Sequence, residues 1–182
     1  KEGLAVDTRK TFGQYAQYVI DLKENIEKKK HTTIKLYKKL LERIDPAIGY
    51  IKLGDLRPQH LNNFYAQLSQ PGMNLVTGGY LSSKTILEHH RFIHVVLEQA
   101  EKEMLIPFNV ASKATPPKYI KKEIRCYQLD EVRRIRRYLK FEPLKWQIAV
   151  LLLIYTGGRR GEACGLRLKD INFKESTIHF QN

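Results

Sequence analysis

Residues 151–171 read LLLIYTGGRRGEACGLRLKDI, and this stretch decides how the rest of the 182-residue sequence is interpreted. A run of apolar residues leads into Gly157-Gly158, and this glycine pair breaks the helix that the run predicts. A second, short helix is predicted from Gly161 to Leu166. Arg159 therefore falls in a tight turn between two helices, where an arginine can donate two parallel hydrogen bonds to a phosphate.

The sequence on either side of this turn predicts two longer helices and a strand. Upstream, Leu129 to Lys140 predicts a basic helix, and Trp146 to Tyr155 predicts a strongly apolar one. Downstream, Asp170 to Asn172 predicts a turn, and Thr177 to Gln181 alternates as a β-strand does. We therefore predict that residues 127–182 form a domain of helices that leads into a strand.

Residues 9–107 predict a compact unit of four helices. Apolar residues recur there at intervals of three and four, and serine, threonine or proline stands near each predicted start. The first helix is predicted between Thr11 and Lys28-Lys29-Lys30, and the second between Thr32 or Thr33 and Asp45-Pro46. The third is predicted to begin within Asp55 to Pro58 and to end before the loop at 69–80. The fourth is predicted between Ser82 or Ser83 and Pro107. The apolar stripe of the fourth helix is predicted to contain Ile86, His90, Ile93, Leu97, Ala100 and Met104.

The charge of the chain is strongly positive and unevenly distributed. With 32 Lys and Arg against 19 Asp and Glu, the net charge is +13. Residues 113–182 hold 16 of the basic residues but only 7 of the acidic ones. Such an excess indicates a polyanionic partner, with nucleic acid the first candidate, although basic proteins of other classes share it. Residues 108–126 are basic and contain prolines, which predicts a connector between two domains.

Cysteine and histidine usage gives no sign of a disulfide framework or a metal site. Cys126 and Cys164 form no close-spaced pair, and Cys164 is interpreted as a small core residue. His90 and His94 have a spacing that can bind a metal, but no third ligand accompanies them, so we expect a packed or DNA-facing role. Neither a signal peptide nor an apolar run of about 20 residues occurs. We therefore expect a cytoplasmic protein without a membrane segment.

The order Thr156-Gly157-x-Arg159-x-Gly161-Glu162, followed by Leu166-x-x-x-Asp170-Ile171, resembles the first active-site box of tyrosine recombinases. The four-helix unit resembles the core-site DNA-binding domain of the same family, and the finer similarity is to integrases of phages and conjugative transposons. The resemblance implies a mainly α protein that consists of a linker (1–8), a four-helix SAM-like core-binding domain (9–107), a basic interdomain linker (108–126), and the helical, α+β start of a tyrosine-recombinase catalytic domain (127–182).

The resemblance further implies a site-specific DNA recombinase or integrase that cuts and rejoins DNA through a 3′-phosphotyrosine intermediate. Arg159 matches the catalytic arginine that stabilises the scissile phosphate, and Glu162 matches the acidic residue that holds the active site in register. Arg160 stands at the variable position and is interpreted as a structural residue or a phosphate contact. The remaining catalytic residues, including the tyrosine nucleophile, are expected beyond Asn182, so the chain by itself should be inactive.

Family members close around duplex DNA as a C-shaped clamp, which implies that the second and fourth helices approach a groove. Cations and hydroxyls at helix starts suit phosphate contacts, and connector lysines can follow the backbone across the duplex. For any single residue, a solvated polar face remains an equally open interpretation. The candidate DNA-binding residues are His31, Thr32, Thr33, Lys35, Lys38, Ser82, Ser83, Lys84, His89, Arg91, Lys118, Lys121, Lys122 and Arg160.

Tyr155 and the arginines of the basic helix lie upstream of the box and are not part of it. Tyr155 stands in the wrong place for the family's nucleophile and is expected to pack in the core. Of Arg133, Arg134, Arg136 and Arg137, not all can face DNA, because their spacing spreads them around a helix.

The expected partners follow from the same resemblance. They are double-stranded DNA at recombination core sites and three further copies of the protein, since the family exchanges strands within a tetrameric synapse. No cofactor or metal is expected, because a tyrosine and cationic residues perform the chemistry. A noncatalytic helical DNA-binding protein and a family relative that has lost activity remain open alternatives.

Overall fold

The computed structural model describes residues 10–119, 123 and 125–180. The predicted linker at 1–8, the connector lysines Lys121 and Lys122, and Gln181 at the end of the predicted strand lie outside the described residues. The chain divides into two units, Lys1–Lys121 and Lys122–Asn182. The protein is mainly helical, with α1 at Phe12–Asn25, α2 at His31–Ile44, α3 at Pro58–Leu68, α4 at Ser83–Lys102, α5 at Leu129–Leu139, α6 at Leu144–Thr156 and α7 at Arg160–Gly165, followed by the short strands β1 at Ile171–Asn172 and β2 at Thr177–Ile178.

The first helix begins where the sequence predicts, because Thr11 and Gln14 cap each other. The Thr11 hydroxyl accepts a hydrogen bond from the Gln14 backbone N–H at 3.4 Å, and the Gln14 amide oxygen accepts one from the Thr11 N–H at 3.2 Å. This reciprocal arrangement satisfies two backbone donors that the first turn leaves without partners. The prediction of a Thr11 cap is confirmed.

The sequence predicts that the second helix ends at Asp45-Pro46, but the helical path continues past these two residues. The α-helix ends at Ile44, but Asp45–Gly49 continue as one wider, π-type turn. Pro46 has no N–H to donate, so regular α-helical hydrogen bonding does not continue through it, and the path widens into the π-type turn. The turn packs closely on α1, since a Cβ added to Gly13 would lie 3.3 Å from the Gly49 Cα.

The core of the first unit lies among its four helices. Helices α1, α2 and α4 pack against one another, while α3 packs against the Asp45–Gly49 turn and against a 3₁₀ turn at Val110–Lys113. The third helix buries Leu61, Phe64, Tyr65 and Leu68. The largest fully buried side chains elsewhere in this core include Phe12, Tyr15, Ile20, Ile34, Ile44, Phe92, Ile93 and Leu97.

The fourth helix differs from its prediction at its end and on its buried face. It ends at Lys102, five residues before Pro107, and Met104 adopts a positive φ of 57° with 63% of its surface exposed. Met104 was therefore wrongly placed on the apolar stripe. His89 and Phe92 are buried, whereas His90 is only half-buried. The buried face is wider than a single stripe because α1 and α2 both contact this helix.

The first unit extends past residue 107, although the sequence predicts a connector from residue 108. Val110 and Ala111 are buried in the same core as the helices. The buried Asn109 side chain ties this segment to α4, because its amide donates to the His94 carbonyl at 3.0 Å and its oxygen accepts from the Ala111 N–H at 2.9 Å. The start of the predicted connector is therefore part of the helical unit.

The second unit contains α5, α6, α7 and a small antiparallel hairpin. Ile171 pairs with Ile178 and Asn172 with Thr177, so the predicted turn at Asp170–Asn172 is instead a strand start preceded by a 3₁₀ turn at Leu168–Asp170. Among the described residues of this unit, Leu139 alone is buried. Tyr155 is 67% exposed and Cys164 is exposed, so the expectation that both pack in a core is wrong for this structure.

None of the helices in the described ranges combines the length and the apolar character that crossing a bilayer requires.

Candidate active site

The turn before Arg159 is set by a glycine in the left-handed conformation. Gly157 has a φ of 65°, and its N–H donates to the Leu153 carbonyl at 3.1 Å, which closes the end of α6. Thr156 fixes the next step, since its hydroxyl donates to the Leu152 carbonyl at 2.7 Å and accepts from the Gly158 N–H at 3.1 Å. A left-handed residue at this position is a common helix end that glycine adopts without steric cost.

Arg159 and Glu162 form a compact pair at the start of α7. The Glu162 carboxylate accepts from the Arg159 backbone N–H at 2.7 Å and from its guanidinium at 2.9 Å. These two hydrogen bonds, the backbone one first, hold the pKa of the Glu162 carboxyl below its usual range. Because a guanidinium has five N–H donors and 85% of the Arg159 side chain is exposed, several donors remain for an incoming anion.

A second pair with the same spacing follows the box. The Asp170 carboxylate, with a side chain only 6% exposed, accepts from the Arg167 backbone N–H at 3.0 Å. The Asp170 carbonyl accepts from the His179 N–H at 2.9 Å, which ties the box to the far side of the hairpin. We did not predict the Arg167–Asp170 pair from the sequence. An arginine followed three residues later by a carboxylate occurs at both sites, and this spacing could have indicated the pair.

Gly158 lies in close contact with Phe180, which the sequence did not show. A Cβ at Gly158 would lie 3.1 Å from Cζ of Phe180 and 3.1 Å from the Thr156 hydroxyl oxygen. The Phe180 ring therefore covers the backbone of the turn just before Arg159. No local pattern predicts a contact between residues so far apart in the chain.

Replacing Gly157 with alanine should lower the free energy of unfolding by about 1 kcal/mol, because a Cβ is strained at this positive φ. Urea unfolding followed by circular dichroism would measure the change. Gly161→Ala is the matched control, since Gly161 lies inside α7 with open space around its Cα and has no positive φ. An equal or larger loss for Gly161→Ala would contradict the assignment of strain to Gly157.

The candidate DNA contacts at the start of α2 lie together on the surface. His31, Lys35 and Lys38 line one open cleft of about 470 Å³, and Thr32 is exposed beside them while Thr33 is half-buried. The same cleft contains Glu24, whose carboxylate pairs with the Lys38 ammonium at 2.8 Å. Lys38 is thus partly neutralised, which leaves Lys35 as the less compensated cation of the group.

The candidates at the start of α4 have mixed surroundings. The Ser82 hydroxyl accepts from the Thr85 N–H at 3.1 Å, so this serine caps the helix as predicted. Lys84 is exposed and Ser83 is half-buried. Arg91 is exposed but pairs with the Glu88 carboxylate at 2.9 Å.

His89 is not available as a DNA contact, and that prediction is corrected. Its side chain is 2% exposed, and its Nδ1–H donates to the Thr85 carbonyl at 2.8 Å. Burial lowers the pKa of the His89 imidazole, and the nearby Arg43 lowers it further. A buried, neutral ring cannot supply a positive charge to a phosphate.

The remaining candidates are Lys118 and Arg160, both exposed, while the predicted contacts Lys121 and Lys122 lie outside the described residues. The His90 and His94 rings are 6.2 Å apart and have protein partners, since the Tyr65 hydroxyl lies 2.9 Å from His90 Nδ1 and the Ser112 hydroxyl lies 3.2 Å from His94 Nε2. Within the described ranges, no group of three His, Cys, Asp or Glu side chains is placed to hold a metal ion.

Comparisons with known proteins agree on one family. Residues 11–69 match the family described as phage integrase, N-terminal SAM-like domain. The chain is 28% identical over 138 residues to a tyrosine recombinase XerC-like protein of Caldanaerobacter subterraneus subsp. tengcongensis, covering 72% of this chain and 32% of that protein. An integrase-like domain from Bacillus cereus, solved in solution, is 30% identical, with a TM-score of 0.52 and coverage of 66% of this chain and 94% of that domain.

The whole fold also matches a larger solved structure. The Tn1549 transposon integrase, residues 82–397 in complex with circular intermediate DNA, has a TM-score of 0.73 at 19% identity and covers 94% of this chain. The chain spans 54% of that integrase structure and about a third of the curated XerC-like relative. The sequence matches, the box around Arg159 and the helical fold together place the chain in the tyrosine recombinase family, to which phage and transposon integrases belong.

Proposed function

We propose that this chain belongs to a site-specific DNA recombinase that cuts and rejoins DNA through a 3′-phosphotyrosine intermediate, with Arg159 stabilising the scissile phosphate. The observation that carries the proposal is the Arg159–Glu162 pair. Glu162 holds one guanidinium nitrogen at 2.9 Å, while 85% of the arginine side chain faces solvent. The arginine is therefore oriented before an anion arrives and still has donors to offer.

The chemistry of phosphoryl transfer explains why such an arginine is useful. When a tyrosine oxygen attacks a phosphodiester, the transition state carries additional negative charge on the nonbridging oxygens. A guanidinium stays protonated and donates in a planar fork, so its hydrogen bonds strengthen as this charge develops. Because the donor is held in place beforehand, little reorganisation is needed at the moment of reaction.

The DNA itself would be held by cations and hydroxyls of the first unit that are exposed or half-buried. The proposed contacts are the group His31, Thr32, Thr33 and Lys35 on α2, then Ser83 and Lys84 on α4, with Lys118 beyond them. The Tn1549 integrase was solved in complex with DNA, which supports duplex DNA as the partner. We extend the proposal to a tetramer at two core sites, acting in the bacterial cytoplasm where such DNA lies.

Two measurements test the proposed function. The 182-residue chain should bind duplex DNA, and its affinity should fall steeply as salt rises, because each neutralised phosphate releases counterions. The full-length protein should form a covalent protein–DNA adduct on a nicked core-site duplex, whereas the 182-residue chain alone should form none. Absence of the adduct from the full-length protein on its own core site would contradict the recombinase and favour a noncatalytic DNA-binding protein.

A further inference from the structure

Helix α5 concentrates positive charge on one of its faces. Its cations at positions 133, 136, 137 and 140 follow the spacing i, i+3, i+4 and i+7, which places them along one side of a helix. Arg134, by contrast, lines a different cleft together with Glu131. This separation of Arg134 from the other three agrees with the expectation that not all four arginines can share one side of the helix.

The charged face borders a cleft between α5 and α6 of about 430 Å³. Arg136 is held at its edge, with its guanidinium carbon 5.8 Å from the centre of the Tyr155 ring. The Gln147 amide ties α6 to the turn that follows α5, because it donates to the Glu142 carbonyl at 2.8 Å. The residues that line the cleft include Arg133, Arg136, Arg137, Lys140, Gln147 and Leu151.

The four cations of this cleft are not paired with carboxylates of the described residues. In the part of the chain that the structure describes, none of the ion pairs includes Arg133, Arg136, Arg137 or Lys140. Four like charges at this spacing repel one another, and an anion bound among them would remove that repulsion. Arginine is also the side chain best suited to bind phosphate in a planar, bidentate way.

We propose that the basic cleft of α5, formed by Arg133, Arg136, Arg137 and Lys140, binds the phosphodiester backbone of duplex DNA at a place separate from the Arg159 pair. Residues 133 to 140 extend over roughly 10 Å of helix. That length matches about three steps between consecutive phosphates of one strand, which advance about 3.4 Å each along the duplex axis. The contact reads no sequence, because backbone phosphates carry none. This inference rests on the proposed DNA-binding function.

The test compares neighbouring arginines of the same helix in the 182-residue chain. Arg133→Gln and Arg137→Gln, alone and combined, are measured against Arg134→Gln, which removes the same charge from the other cleft. Each cleft variant should lower the slope of log affinity against log salt by about 0.9, and the double variant should weaken binding about tenfold at low salt. The loss should be equal for unrelated DNA sequences, and circular dichroism spectra should be unchanged.

The possible outcomes separate this inference from the proposed function. If the unaltered chain binds DNA but the double variant keeps the full salt slope, the cleft is not a phosphate site and the proposed function stands. If Arg134→Gln lowers the slope as much as Arg133→Gln, the effect is one of overall charge and the cleft is again rejected. If the unaltered chain fails to bind DNA at all, both proposals fail together.

Discussion

Replacing Arg159 with alanine should reduce covalent adduct formation on a nicked core site by roughly two to three orders of magnitude. The loss is expected because the variant removes a preorganised donor from the charge that develops on the scissile phosphate. Affinity for DNA should change little, since one exposed cation among many phosphate contacts contributes little to total binding. The measurement is the rate of adduct formation by the full-length protein at saturating DNA, together with the dissociation constant.

The neighbouring arginine provides the matched control for this prediction. Arg160→Ala removes the same side chain one position along and should retain most of the rate. Arg159→Lys keeps the charge but loses the planar fork, so its rate should fall between that of the unaltered protein and that of Arg159→Ala. If Arg159→Ala lost DNA binding and adduct formation to the same extent, Arg159 would be a residue that positions DNA and not one that acts on the reacting phosphate.

The local features of the site were predictable because short-range rules determine them. Gly157 ends α6 in the left-handed conformation, as a glycine after an apolar helix predicts. Arg159 and Glu162 face each other because residues three apart at a helix start lie within reach. The position of Phe180 over Gly158 was not predictable, since this contact depends on how the hairpin folds back and not on neighbouring residues.

The four-helix unit was likewise predictable in its helices but not in its details. Caps and apolar intervals located the starts of α1, α3 and α4 within a residue or two. The predicted apolar stripe of α4 includes His90 and omits His89, because a periodic pattern gives the centre of a buried face but not its width. His89 is buried beside Phe64 of α3, with 6.0 Å between the ring centres, and this burial lowers the pKa of its imidazole.

The packing of α6 is a further feature that the spacing of apolar residues does not predict. After Lys145 and Gln147 near its start, this helix is apolar on every side, which indicates burial without indicating what it packs against. In the structure Trp146 is 54% exposed and Ile148 is 57% exposed. Tyr155 was expected in a core and instead contributes its ring face to Arg136, a role that only the relative placement of α5 and α6 reveals.

Replacing Phe92 with alanine should lower the free energy of unfolding of the helical unit by about 3–5 kcal/mol. Phe92 is 1% exposed, and its ring centre lies 4.9 Å from that of Tyr37, so the truncation leaves a cavity between α2 and α4. Such a loss is a large part of the roughly 5–15 kcal/mol by which a domain is stable. Urea unfolding followed by circular dichroism would measure it.

Phe108→Ala is the matched control, because it deletes the same side chain from the same unit at a site that is 41% exposed. Its ring faces the Lys113 ammonium, 4.2 Å from the ring centre, and is partly open to solvent, so the expected loss is about 1 kcal/mol. A comparable loss for both variants would show that Phe92 is not part of a close-packed core. Phe92→Ala should also weaken DNA binding. Helices α2 and α4 carry the proposed DNA contacts, and they depend on this packing to hold their positions.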